Sequence, residues 1–270
     1  MPGPDDAPIL EFDPAPTAVI EPSEHIDPTD IPPRAVLCFF QDVIAKVVEE
    51  FGGREIDEVR SEIGLVPIYE LDYRGERLAL VHPGVGAPLA VGFTEELIAR
   101  GVRAFVACGG AGVLVPDVAL GHVVVPTAAV RDEGTSYHYL RASRTVAPSP
   151  NALAAIIETL EAREVLHVTG ATWTTDALYR ETRTKIERRV REGCLTVEME
   201  AAAFFALASF RSVEFGSLLY AGDDLSGEQW DHRGWFEHMS GREALFHLAA
   251  ESVLRIPVAP AEGPARTGVR

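Results

Sequence analysis

Short continuous apolar runs alternate with stretches of helical spacing along most of the chain. Residues 35–40 (AVLCFF) form one such run and read as a buried strand. Val43, Ile44, Val47, Val48 and Phe51 then recur at helical spacing until Gly52-Gly53 ends the pattern. Residues 65–73 and 78–82 read as two strands joined at Arg74-Gly75-Glu76 as a hairpin. A helix is predicted over 88–100, with Pro88 in its first turn and Gly101 just past its end. Residues 104–108 are a further strand running into Gly109-Gly110-Ala111-Gly112, read as a turn, and 121–126 are another. The second half continues with a helix at 151–161, a strand at 165–170 and a charged helix at 180–192. An apolar helix at 201–210, a strand at 214–221 ending in Gly222-Asp223-Asp224, and a helix at 242–253 close the chain. This alternation predicts an α/β fold: a single domain with a mixed central β-sheet flanked by helices.

Composition sets the boundaries. Residues 1–33 hold eight acidic residues, no Lys or Arg, and nine of the 19 prolines. Such a segment has little to bury and a backbone poorly suited to helix or sheet, so 1–33 is expected to be a flexible acidic arm. Residues 34–256 form the domain, and 257–270 a loose tail. The net charge of −17 argues against nucleic-acid binding through a basic face. No apolar run is long enough for a membrane span, and the N-terminus lacks the pattern of a secretory signal. Three scattered cysteines (Cys38, Cys108, Cys194) suggest neither a disulfide framework nor a metal site. A cytoplasmic protein without cofactor or metal is expected.

Four stretches could carry chemistry. Gly84-Val-Gly86 and Gly110-Ala-Gly112 lack the third glycine of a dinucleotide fingerprint, yet their backbone N–H groups could receive an anion. Glu198-Met199-Glu200 precedes the apolar helix, where acids also serve as helix caps. Asp223-Asp224 ends a strand, where ligands of α/β sheets sit, although an Asx-type turn would use the same residues. The segment 131–139 (RDEGTSYHY) is dense enough in polar and aromatic groups to form a pocket wall.

Together these segments resemble the nucleoside phosphorylase superfamily, of the uridine and purine nucleoside phosphorylase type with related nucleosidases. The resemblance spans 35–253 and rests on the order and spacing of 82–88 (HPGVGAP), 101–112, 121–139 and 197–200 (VEME), followed 23 residues later by Asp223. It implies cleavage of the N-glycosidic bond of a nucleoside, purine more than uridine, with inorganic phosphate as candidate co-substrate. Glu198, Met199 and Glu200 would bind ribose, and Asp223 would act on the leaving base. Gly84, Gly109, Gly110 and Arg60 would bind phosphate, Arg60 across a subunit contact. Trp173, Leu178 and Tyr179 would stack on the base. A homo-oligomer, dimer-based up to a hexamer, is implied, and His25 is the one arm histidine placed to reach a neighbour. The segment 226–235 is placed like a mobile lid.

The chain also departs from the pattern. Residues 38–42 (CFFQD) stand where a Gly-Asp-Pro-x-Arg phosphate turn is expected. Ala107 and Gly110 stand where an Arg and a Thr or Ser are expected, and Thr182 and Thr184 replace the Gln and Arg that read a pyrimidine. Losing two guanidinium partners weakens a dianion site strongly. Hydrolysis by water, or a nucleoside-binding protein without turnover, are therefore the alternatives to phosphorolysis.

Overall fold

A computed structural model describes residues 7–237 and 239–258. The apolar run becomes β1 (Arg34–Cys38), paired in parallel with β4 (Glu76–Val81) on one side and β5 (Ala104–Val113) on the other. Val36 and Cys38 face one apolar cluster, Ala35 and Leu37 the other. A strand buried on both faces needs no polar alternation, and this one shows none. Helices α2 (Gln41–Glu50), α4 (Pro150–Ala162) and α7 (Met239–Arg255) cover the first face. Helices α3 (Ala87–Arg100) and α6 (Ala201–Arg211) cover the second.

The hairpin is β3 (Gly64–Tyr73) with β4, and both turn residues, Arg74 and Gly75, have positive φ. That is the turn whose twist suits a two-residue hairpin. An edge strand not predicted, β2 (Arg54–Ser61), pairs with β3. Its sequence REIDEVRS is charged along its length, which hides it from apolar patterning and protects an open edge. The remaining strands are β6 (Val123–Asp132), β7 (Thr145–Val146), β8 (His167–Thr175), β9 (Cys194–Glu198) and β10 (Glu214–Asp224). Pairings β5–β10, β10–β6, β6–β8, β8–β9 and β9–β5 close five strands into a ring.

Two predicted turns are strand. Gly109–Gly112 continues β5, and Gly222-Asp223-Asp224 continues β10. The two strands run in register until a bulge, where Gly222 and Asp223 together stand opposite Gly112. Leu225 and Val197 close over the bare backbone there: a Cβ on Gly112 would lie 2.6 Å from the first and 3.1 Å from the second. Within the acidic arm, α1 (Pro22–His25) lies beside α3. Glu21 is buried and pairs with Arg211 at 3.0 Å, while Asp30 pairs with Arg77 at 2.9 Å. The arm's first six residues and residues 259–270 of the expected tail lie outside the described residues.

Candidate active site

Strands β1, β4, β5 and β10 are parallel to one another. A cavity of about 450 Å³ opens past their carboxyl ends, the usual place for a ligand in such a sheet. Phe39 and Phe40 wall it just after β1, Val85 after β4, Gly109–Gly112 along β5, and Gly222 and Asp223 at the end of β10. Glu198, Met199 and Glu200, from the end of β9 into the start of α6, line it as well.

Each acid has a distinct setting. Glu198 accepts backbone N–H bonds from Glu200 (2.7 Å) and Ala201 (2.6 Å) and a hydroxyl bond from Thr174 (2.6 Å). It therefore caps the N-terminus of α6, the helix-capping role open to these acids from sequence. Burial pushes its carboxyl above the usual range, against the pull of those donors. Glu200 sits at the N-cap position of α6 and accepts the backbone N–H of Gly86 at 2.5 Å. Gly86 has φ +90, a conformation glycine adopts without strain, so this turn serves to orient a carboxylate. Burial first, and the Glu198 charge second, push Glu200 up to about 8. A buried carboxyl held by backbone donors, with a cavity in front of it, is suited to accept hydroxyl donors from a ligand.

The bulge on β10 separates the two aspartates. Asp223 faces the cavity and accepts the indole N–H of Trp230 at 2.6 Å. Asp224 is tied to Arg233 and to the backbone N–H of Ser226, and its backbone bridges Asp231. These contacts hold its carboxyl below the usual range, against desolvation. Trp235, from the segment placed like a lid, lines the cavity and packs over Gly110 and Gly222.

Other expected residues lie elsewhere. Trp173 is fully buried in a separate core cluster, not in the cavity wall. Strand alternation explains this. Thr172 and Thr174 point to Glu198, so Trp173 points to the opposite face under Lys185 and Arg189. Tyr179 is 92% exposed and absent from the wall, whereas its neighbour Leu178 lines it. Gly109 and Gly110 line the cavity, but Phe39 occupies the space beside Gly109, where a Cβ would come within 2.8 Å. Gly84 is not in the wall; its N–H bonds to His82 at 3.1 Å. Arg60 projects from edge strand β2, paired with Glu58. Two charged wall residues escaped the sequence reading: Glu181, and Arg242, which bonds to Asp42 at 2.7 Å and lies over Phe40. Among the described residues, Glu50, Glu243 and His247 bring ligand-type atoms together, but Glu243 pairs with Lys46, His247 bonds to Tyr73, and none of the three lines the cavity. No described helix is long and apolar enough to cross a membrane.

Residues 33–255 match the family model of the phosphorylase superfamily. The chain belongs to the phosphorylase superfamily. It is 34% identical over 152 residues to guanosine phosphorylase of Halorubrum lacusprofundi, covering 56% of this chain and 63% of that one. It is 31% identical over 153 residues to uridine phosphorylase of Treponema pallidum, covering 53% and 59%. The match thus spans about three-fifths of these curated relatives' length. The fold is shared with uridine phosphorylase of Vibrio fischeri (TM-score 0.72, 23% identity, covering 85% of this chain and 95% of that one). It is also shared with AMP nucleosidase of Bacteroides thetaiotaomicron (TM-score 0.67, 23% identity, covering 83% and 88%). Proteins with phosphorylase and nucleosidase names share this fold, so the fold alone does not choose the acceptor.

Proposed function

We propose that the chain cleaves the N-glycosidic bond of purine nucleosides, passing the ribosyl group to inorganic phosphate. The observation that carries this reading is that Glu200 and Asp223 line one cavity. Breaking the bond leaves positive charge on the sugar and negative charge on the base. Glu200 accepts the ribose hydroxyls, and its carboxylate favours the oxocarbenium-like state. Asp223 faces N7 of the departing purine, Met199 packs on the sugar, and Leu178 packs on the base. Similarity to a guanosine phosphorylase supports the purine preference. The superfamily resemblance of the sequence implies a homo-oligomer, with Arg60 on the exposed edge strand β2 available to a neighbour; a strictly monomeric species in light scattering would count against it.

Water as the acceptor is a second reading with its own observation. Where a phosphate turn is expected, the wall is Phe39 and Phe40, and among the described residues Arg242 is the only arginine lining the cavity. Incubation with guanosine, inosine, adenosine and uridine, with and without phosphate, distinguishes the outcomes. Phosphorolysis gives ribose 1-phosphate and stops without phosphate. Hydrolysis gives free ribose in either buffer. Binding in calorimetry without free base would leave a nucleoside-binding protein and overturn both.

A further inference from the structure

Glu50, Glu243 and His247 form a cluster away from the cavity, and the nucleoside chemistry gives it no task. Glu243 and His247 are four residues apart on α7, so one helix turn places them on the same face. Glu50 is the last residue of α2, which packs against α7. One ligand-type atom from each of the three lies within 4.8 Å of the other two. The His247 ring is fixed. Tyr73 bonds its Nδ1 at 3.0 Å, and the Phe51 and Tyr73 rings pack against it with centroids 6.0 and 5.9 Å away. Nε2 is the ring nitrogen left for a third group. Burial holds the imidazole below its ordinary range in spite of the two nearby carboxylates, so at neutral pH it carries a lone pair rather than a charge.

The cluster already attracts a cation. The Lys46 ammonium lies 2.6 Å from Glu243, and the carboxyl end of α2 adds its own negative field. Two carboxylates meet one ammonium here. Asp132 is the reverse case, a single carboxylate that takes both Lys185 and Arg189 of α5 (Arg183–Arg191).

We propose that Glu243 and His247 of α7, with Glu50 of α2, bind one zinc ion in place of the Lys46 ammonium. One imidazole and two carboxylates suit zinc, with water as the fourth ligand. Magnesium prefers an all-oxygen octahedral shell. Ligand atoms around tetrahedral zinc stand about 3.4 Å apart, so the cluster closes on the ion by small rotations of the two glutamates. Glu50 is exposed and can make them. Lys46 can leave, because its side chain is 55% exposed. A metal-bound histidine is oriented by a partner on its other nitrogen, and Tyr73 stands there. The ion fastens α2 to α7, beside the Asp42–Arg242 bond that already joins them. Phe40, just before α2, and Arg242 of α7 both line the cavity, so the fastening steadies that part of its wall.

Calorimetry on the full chain, stripped with a chelator and titrated with zinc chloride, tests this without any substrate. One ion binds per chain and raises the melting temperature. Magnesium chloride gives no heat. His247→Gln weakens zinc binding by about 10²-fold, and Glu50→Gln and Tyr73→Phe each by at least about tenfold. Lys46→Met tightens it, since the competing ammonium is gone. Glu50 and Lys46 are exposed, so their variants fold as wild type does, which melting curves of the stripped proteins establish. Absence of one-to-one binding overturns the proposal, as does binding that His247→Gln and Glu50→Gln leave unchanged. A Lys46→Met chain that binds zinc no more tightly than wild type overturns the exchange of ammonium for metal.

Discussion

Asp223→Asn lowers kcat for purine nucleosides by about 10²–10³-fold, whereas Asp224→Asn stays within about threefold of wild type. The contrast follows from one extra residue in β10. The bulge opposite Gly112 leaves Asp223 on the cavity wall, and leaves Asp224 with Arg233 and Ser226. Asparagine at 223 still accepts the Trp230 indole but neither gives nor takes a proton, so the loss belongs to the chemical step rather than to folding. Asparagine at 224 keeps an acceptor for Ser226 and loses only the charge toward Arg233. Steady-state kinetics on both variants, with thermal melts to establish folding, checks the pair. Equal losses would mean that the leaving base meets Asp224 or neither residue.

The fold was legible wherever burial was two-sided. β1 and the first half of β5 are unbroken apolar runs because helices cover both of their faces, and the Arg74-Gly75 turn announces its hairpin. β2 was illegible because a charged edge strand has no apolar signature. Gly109–Gly112 misled because glycine marks both turns and places where another group comes close, and here Phe39 and Leu225 come close. Glu200 and Asp223, read from the spacing that carries the family resemblance, line the cavity. Trp173 and Tyr179 were misassigned because neither composition nor spacing says which face of a strand or turn looks inward. Glu181 was hidden in the charge-dense run 180–192, where most side chains face solvent, and Arg242 was hidden in the closing helix.

Glu200→Gln is expected to lower kcat/KM by about 10²–10³-fold and yet to raise thermal stability. The two effects have one cause. In the folded protein Glu200 is buried beside Glu198, and burial and that charge outweigh its backbone donors and push its carboxyl up to about 8. The folded state therefore holds a proton that the unfolded chain releases near its ordinary value of 4.5. Between those values the native state binds more protons, so stability falls as pH rises from about 4.5 to about 8. The ionised carboxylate then costs on the order of 3–5 kcal/mol. Glutamine keeps an acceptor for Gly86 and carries no charge, so the variant melts above wild type by a margin that widens from pH 5 to pH 8. Catalysis needs the opposite state. Only the carboxylate both accepts the ribose hydroxyls and meets the developing positive charge, so wild-type kcat/KM climbs with pH toward 8, a limb that glutamine removes. Melting curves and kcat/KM profiles over pH 5–9 read both effects. A variant less stable than wild type at pH 8 would show that Glu200 belongs to the packing of α6, and an unchanged kcat/KM would remove it from the ribose site.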